Sequence, residues 1–194
     1  MKSNYASAAL VPMALALMIA PLAVGQTKMA KATKMVSAMD KTFMNNSGHA
    51  DAAEIAMANM AKKKSKNPEV LAYADMMIKE HKMMHAELKA LASQRETMVP
   101  DVPNAKQKAV GMKLMKLNGM AFDKAYIMAN VTGHKEAYTN ATKASKMAKD
   151  AAVRDYFKKG APKIKMHLDA AVKDQQAMMA GKPMTAMSGM KHGM

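Results

Sequence analysis

The chain has 194 residues, no cysteine, no tryptophan and a formal net charge of +15, from 30 Lys and Arg against 15 Asp and Glu. Without thiols, a disulfide framework, a cysteine-linked lipid anchor and a thiolate metal site are all excluded, and the length suits one compact domain with tails. Aromatic residues are only 4 % of a sequence dominated by Ala, Met and Lys, which favour helices over strands, so the composition points to an all-α fold.

Residues 1–25, "MKSNYASAALVPMALALMIAPLAVG", place Lys2 before an apolar stretch that ends in small residues at Ala23 and Gly25. This is the pattern of a secretory signal peptide cleaved after Gly25, with retention as an N-terminal anchor as the alternative. An exported protein, periplasmic or extracellular, is the expectation. Residues 26–37 form a basic, Ala-rich lead-in that frays before the first helix.

Residues 38–180 carry the expected domain, with helices at 38–64, 68–95, 119–148 and 150–179. Asn67 followed by Pro68 stops the first helix and starts the second, and Asp150 caps the fourth. The connector between the second and third helices holds Pro100 and Pro103, which force an extended passage before a short helix at 105–117. It is long enough to cross a bundle. From Gly181 to Met194 the helical period is lost to Gly, Pro and Ser, so 181–194 reads as a disordered tail.

A bundle helix buries a stripe whose members are spaced alternately by four and three residues. The first helix gives Phe43, Ser47, Ala50, Glu54, Met57 and Ala61; the second gives Val70, Ala74, Met77, His81, Met84, Leu88 and Leu91. The third gives Ile127, Val131, His134, Tyr138 and Ala141; the fourth gives Val153, Phe157, Gly160, Ile164, His167 and Ala171. Each stripe therefore carries one ionizable residue. With the first turn near residue 66, Glu54 and His81 lie about 12 and 15 residues from it, a height mismatch of roughly 4.5 Å. The same offset relates His134 and His167 across the last turn, so Glu54, His81, His134 and His167 are expected to converge. His85, one turn beyond His81, falls off the stripe and is expected to matter little.

Four such groups cost several kcal/mol to bury unless they are paired, hydrogen-bonded or metal-bound. Two readings stand. One is a metal site of one oxygen and three nitrogens, suited to Zn, Cu(II), Fe or Mn. The other is a hydrogen-bonded polar layer, with Glu54 ionised against one protonated imidazole.

The segments "DKTFMNNSGHADAAEIAMANM", "FDKAYIMANVTGHKEA" and "VRDYFKKGAPKIKMHLDAA", with Glu54, His81, His134 and His167 in place, resemble the exported bacterial family known as domain of unknown function 4142. That resemblance implies a ferritin-like four-helix bundle over about residues 38–175. The family often has Asp before two of these histidines, where this chain has Glu80 before His81 and Gly133 before His134. A ferroxidase centre does not follow, because the di-iron Glu-x-x-His motif would need Glu where Ile78, Val131 and Ile164 stand.

Methionine occurs 26 times. Met57, Met77, Met84 and Met178 fall on stripes and read as core, as do most of the others. In the polar tail, Met184, Met187, Met190 and Met194 with His192 offer thioethers and an imidazole suited to Cu(I) or Ag(I), against the plainer reading of a Met-biased tail without ligands. Exposed methionines also absorb oxidants reversibly. The Lys-rich charge suits non-specific adhesion to anionic envelope surfaces, whereas base reading lacks its usual arginines and aromatics. No nucleophile, phosphate loop or general-base motif emerges. The functional expectation is a non-catalytic exported metal binder or buffer; the alternative is a structural or stress-related bundle with no metal.

Overall fold

The structure is a computed structural model describing residues 35–181, which contain five helices and no strand. The elements are α1 (Ala38–Lys64), α2 (Pro68–Ser93), α3 (Ala105–Met115), α4 (Gly119–Met147) and α5 (Ala151–Met179). The protein is all-α, as its composition predicts. The signal-peptide, lead-in and tail readings cover residues 1–37 and 181–194, which lie outside the described residues except for the last three positions of the lead-in and Gly181.

Polar side chains set most of the boundaries. Ser37 accepts from the Asp40 amide, Asn67 from those of Glu69 and Val70, and Asp150 from those of Ala152 and Val153. Asn104 and Gln107 form a reciprocal capping box at α3. Each such cap stabilises by about 1 kcal/mol by satisfying amides that have no partner within the helix. Asp40 also accepts from the Lys149 and Asp150 amides, tying the start of α1 to the α4–α5 turn. Arg95 reaches the same turn through Asp150 at 3.1 Å. α2 stops at Ser93, before the expected end, because Glu96 takes a left-handed φ of 51°.

The long helices pack α1 on α2 and α4, and α5 on α4 and α2, while α3 lies across α1 and α4. Two apolar clusters fill the interior. One gathers Met57, Tyr73, Met77, Phe122 and Tyr126; the other gathers Phe43, Met44, Leu88, Val153 and Phe157. α1 and α5 run from the second cluster to the first, whereas α2 and α4 run the opposite way. The α2–α4 connector therefore returns the chain to its starting end, and α2 and α4 are parallel. One long crossover of this kind is the connectivity of ferritin-like bundles.

Met44, Met57, Met77 and Met84 are buried, but nine of the described methionines, including Met35, Met98, Met120 and Met179, are among the exposed large side chains. Fewer of the described methionines are core than the sequence suggests: these nine stand outside the buried stripes, and Met178 is only half-buried. Among the described residues, no helix is long and apolar enough to cross a membrane.

Candidate functional site

Between the two apolar clusters every long helix contributes polar groups: Asp51 and Glu54 from α1, Glu80 and His81 from α2, Asn130 and His134 from α4, and His167 from α5. All are buried. The three imidazole rings stand 5.2 to 5.4 Å apart between centroids. One nitrogen from each lies within 4.8 Å of the others.

One nitrogen of each ring is fixed by an oxygen. His81 Nδ1 lies 2.9 Å from Asp51 Oδ1, His134 Nδ1 lies 2.9 Å from the Asn130 carbonyl, and His167 Nε2 lies 2.8 Å from Glu80 Oε2. Carbonyl and carboxylate oxygens accept, so these three nitrogens carry protons and donate. The nitrogens left over are His81 Nε2 and His134 Nε2, 3.4 Å apart, and His167 Nδ1, which has no hydrogen-bond partner among the described residues.

A family model described as "Domain of unknown function (DUF4142)" matches residues 25–173, a span that includes every residue of this layer. The chain belongs to that family. No curated protein and no solved structure matches it.

In this DUF4142 protein, burial opposes the charged form of each group and neighbours decide the outcome. For His81, burial lowers the pKa, but the hydrogen bond and charge of Asp51, with Glu54 and Glu80 behind it, bring the net result above the usual value. His134 is held well below its usual value by burial and then by the charges of His81 and His167. His167 is lowered by burial, against the opposing hydrogen bond to Glu80. Burial pushes Glu54 up to about 7, with His81 lowering it and Asp51 raising it. Of the three imidazoles His81 therefore takes a second proton most readily, and in that form its Nε2–H donates to His134 Nε2.

The sequence-predicted residues of the DUF4142 layer all lie at one level, but they do not form one cluster of four. His81, His134 and His167 come together, whereas Glu54 stands to one side, its Oε1 3.7 Å from His134 Nδ1. That nitrogen is already engaged with Asn130. The carboxylate against the protonated imidazole is Asp51, not Glu54. Gly133 leaves room for Glu54, since a Cβ there would lie 2.8 Å from Oε1. Glu80, a departure from the family pattern by sequence, turns inward and fixes His167.

His85 lies off the stripe, as its spacing predicts, but it still touches the layer. Its side chain is only 13 % exposed, its Nε2 meets Asp101 at 2.7 Å, and its Nδ1 lies 3.7 Å from Asp51 Oδ2. Asp51 and then Asp101 raise its pKa despite partial burial. His85 thus links the layer to the α2–α3 connector. The tail group of Met184, Met187, Met190, His192 and Met194 lies outside the described residues.

Asp51 and Glu80 escape a reading that follows one register on each helix. Met44, Ser47, Asp51, Glu54, Ala58 and Ala61 form a second run at the same alternate spacing, and all are buried. Tyr73, Met77, Glu80 and Met84 do the same on α2. A buried helix face is wider than one stripe, and scoring both registers finds the two acids.

Proposed function

We propose that His81 Nε2, His134 Nε2 and His167 Nδ1 bind one divalent transition ion, and that the protein is an exported, non-catalytic metal holder. The observation that carries this reading is His167 Nδ1, a buried nitrogen without a partner among the described residues, beside two other ring nitrogens freed by the same kind of oxygen contact. An orphaned buried polar atom costs about 1–3 kcal/mol. A second proton on His81 can satisfy the pair with His134 but not His167 as well. One cation satisfies all three. Imidazoles that bind metals are commonly oriented through their other nitrogen by a carboxylate or carbonyl, and Asp51, Glu80 and the Asn130 carbonyl stand in those positions.

Three nitrogens with one coordination position left open suit Zn(II) or Cu(II), with Fe(II) also accommodated. Mn(II), which prefers oxygen, falls behind because Glu54 stands outside the triad. Asp51, Glu54 and Glu80 supply negative charge around the ion. The burial of all three imidazoles favours storage or buffering over turnover, since substrate access would require the helices to part. Export rests on residues 1–25. A separate soft-metal capacity for Cu(I) or Ag(I) is assigned to Met184, Met187, Met190, His192 and Met194, and deleting residues 182–194 should reduce it without changing the helical spectrum.

The test is a competition titration with zinc on the mature chain and on His167→Ala. One ion per chain, with affinity collapsing in the variant, supports the reading; equal stoichiometry and affinity in both refutes it. The second reading, a metal-free polar layer, is favoured by one observation, the 3.4 Å separation of His81 Nε2 and His134 Nε2, which fits a shared proton. It predicts no zinc dependence of stability in any histidine variant.

A further inference from the structure

α3 lies over the seam between α1 and α4 without filling it. Beneath it is a cavity of about 500 Å³, within the ~300–1,000 Å³ of small-molecule sites. Ala50 and Met57 of α1, Val110 and Leu114 of α3, and Ala129 of α4 give it an apolar wall. Glu54 also lines it, and this residue is only 5 % exposed. Its Oε1 sits beside Gly133, while its Oε2 has no hydrogen-bond partner among the described residues. Glu54 therefore lines a mainly aliphatic cavity with a buried carboxyl group, one of whose oxygens has no donor among the described residues.

We propose that the α1–α3–α4 cavity binds a small aliphatic amine, whose ammonium pairs with the Glu54 carboxylate and whose hydrocarbon chain occupies the apolar remainder. A carboxylate ligand fits less well. Its head would meet Glu54 with Asp51 behind it, while the lysines that line the cavity, Lys106 and Lys113, are exposed to water and Lys106 is already paired with Glu136. The site uses none of the three histidine nitrogens and does not require them to hold a metal, although Glu54 Oε1 lies 3.7 Å from His134 Nδ1 and so shares the field of any ion bound there.

Calorimetric titration of the full chain with octylamine, 1-octanol and octanoate, below the concentrations at which they self-associate, tests the assignment in chelator and again with zinc. The net charge of +15 attracts octanoate and repels octylamine everywhere on the surface, so a preference for the amine can arise only locally. Octylamine should bind at one site and more tightly than either analogue. Glu54→Gln should weaken it by roughly ten- to hundredfold, the loss of one charge-assisted hydrogen bond, while changing 1-octanol far less. Ala129→Leu, which takes up volume in the cavity from α4 and leaves the carboxyl intact, should weaken both. Unchanged octylamine affinity in either variant, or octanoate binding more tightly than octylamine, overturns the proposal.

Discussion

Asp51 accepts from His81 Nδ1 through one oxygen and faces His85 Nδ1 with the other. Removing its charge loosens the orientation of His81, so Asp51→Asn should lower zinc affinity by roughly 10- to 100-fold, the usual effect of losing a carboxylate behind a metal-binding histidine. Competition titration measures it, and unchanged affinity would detach Asp51 from the centre. Protonation gives a second expectation. The pKa of His81 is raised while those of His134 and His167 are lowered, so His81 is the imidazole that keeps a second proton to the highest pH. Below the pKa of His81, zinc should therefore displace about one proton per ion from the imidazoles, with a further fraction from Glu54, whose pKa near 7 the cation pulls down. As pH falls, binding must weaken, because the ion then competes with protons for His81 first. Calorimetry in buffers of different ionisation enthalpy reads this release, and none at all would contradict a protonated His81. The histidines are legible in the sequence because each interrupts an apolar stripe. Asp51 and Glu80 are not, because an acid beside a stripe looks like a solvated flank until the width of the buried face is known.

The helices owe their boundaries to local chemistry that can be read directly: Asn67-Pro68, the Asn104/Gln107 pair and Asp150 each stand where a helix begins. The parallel course of α2 and α4 is not legible, since periodicity fixes which face of a helix is buried and not which end its connector returns to. Glycines inside helices separate packing from propensity. Gly160 in α5 and Gly111 in α3 have open space where a Cβ would go, so Gly160→Ala and Gly111→Ala should each stabilise by about 0.5–1 kcal/mol. At Gly48 a Cβ would lie 2.9 Å from the Pro100 carbonyl oxygen, a backbone atom of the connector packed on α1. Gly48→Ala should destabilise by about 1–3 kcal/mol as the connector is pushed away. Urea melts of the three variants check the signs, and a stabilised Gly48→Ala would mean that the connector yields freely at that point.

Across the described residues one polar layer stands between two apolar clusters, and none of the lysines is buried. Surface charge of this kind acts over about 8 Å at physiological ionic strength, so adhesion to anionic vesicles should be strong in dilute buffer and lost in high salt. Retention of the bound fraction in about 1 M salt, where the screening length falls to roughly 3 Å, would show in sedimentation and contradicts a purely electrostatic contact. The layer itself couples α2, α4 and α5 through His81, His134 and His167, with α1 entering through Asp51 and Glu54. Bound metal should stabilise that junction as a unit, by an amount set by its concentration relative to its dissociation constant. Long-range proton–nitrogen correlation spectra of the ¹⁵N-labelled protein, before and after one equivalent of zinc, test this most directly because they report each imidazole nitrogen separately. The account predicts that His81 Nε2, His134 Nε2 and His167 Nδ1 move together to the metal-bound position while their partner nitrogens stay protonated. Spectra in which these three do not move, or in which zinc shifts only His49, His85 or His192, would contradict it.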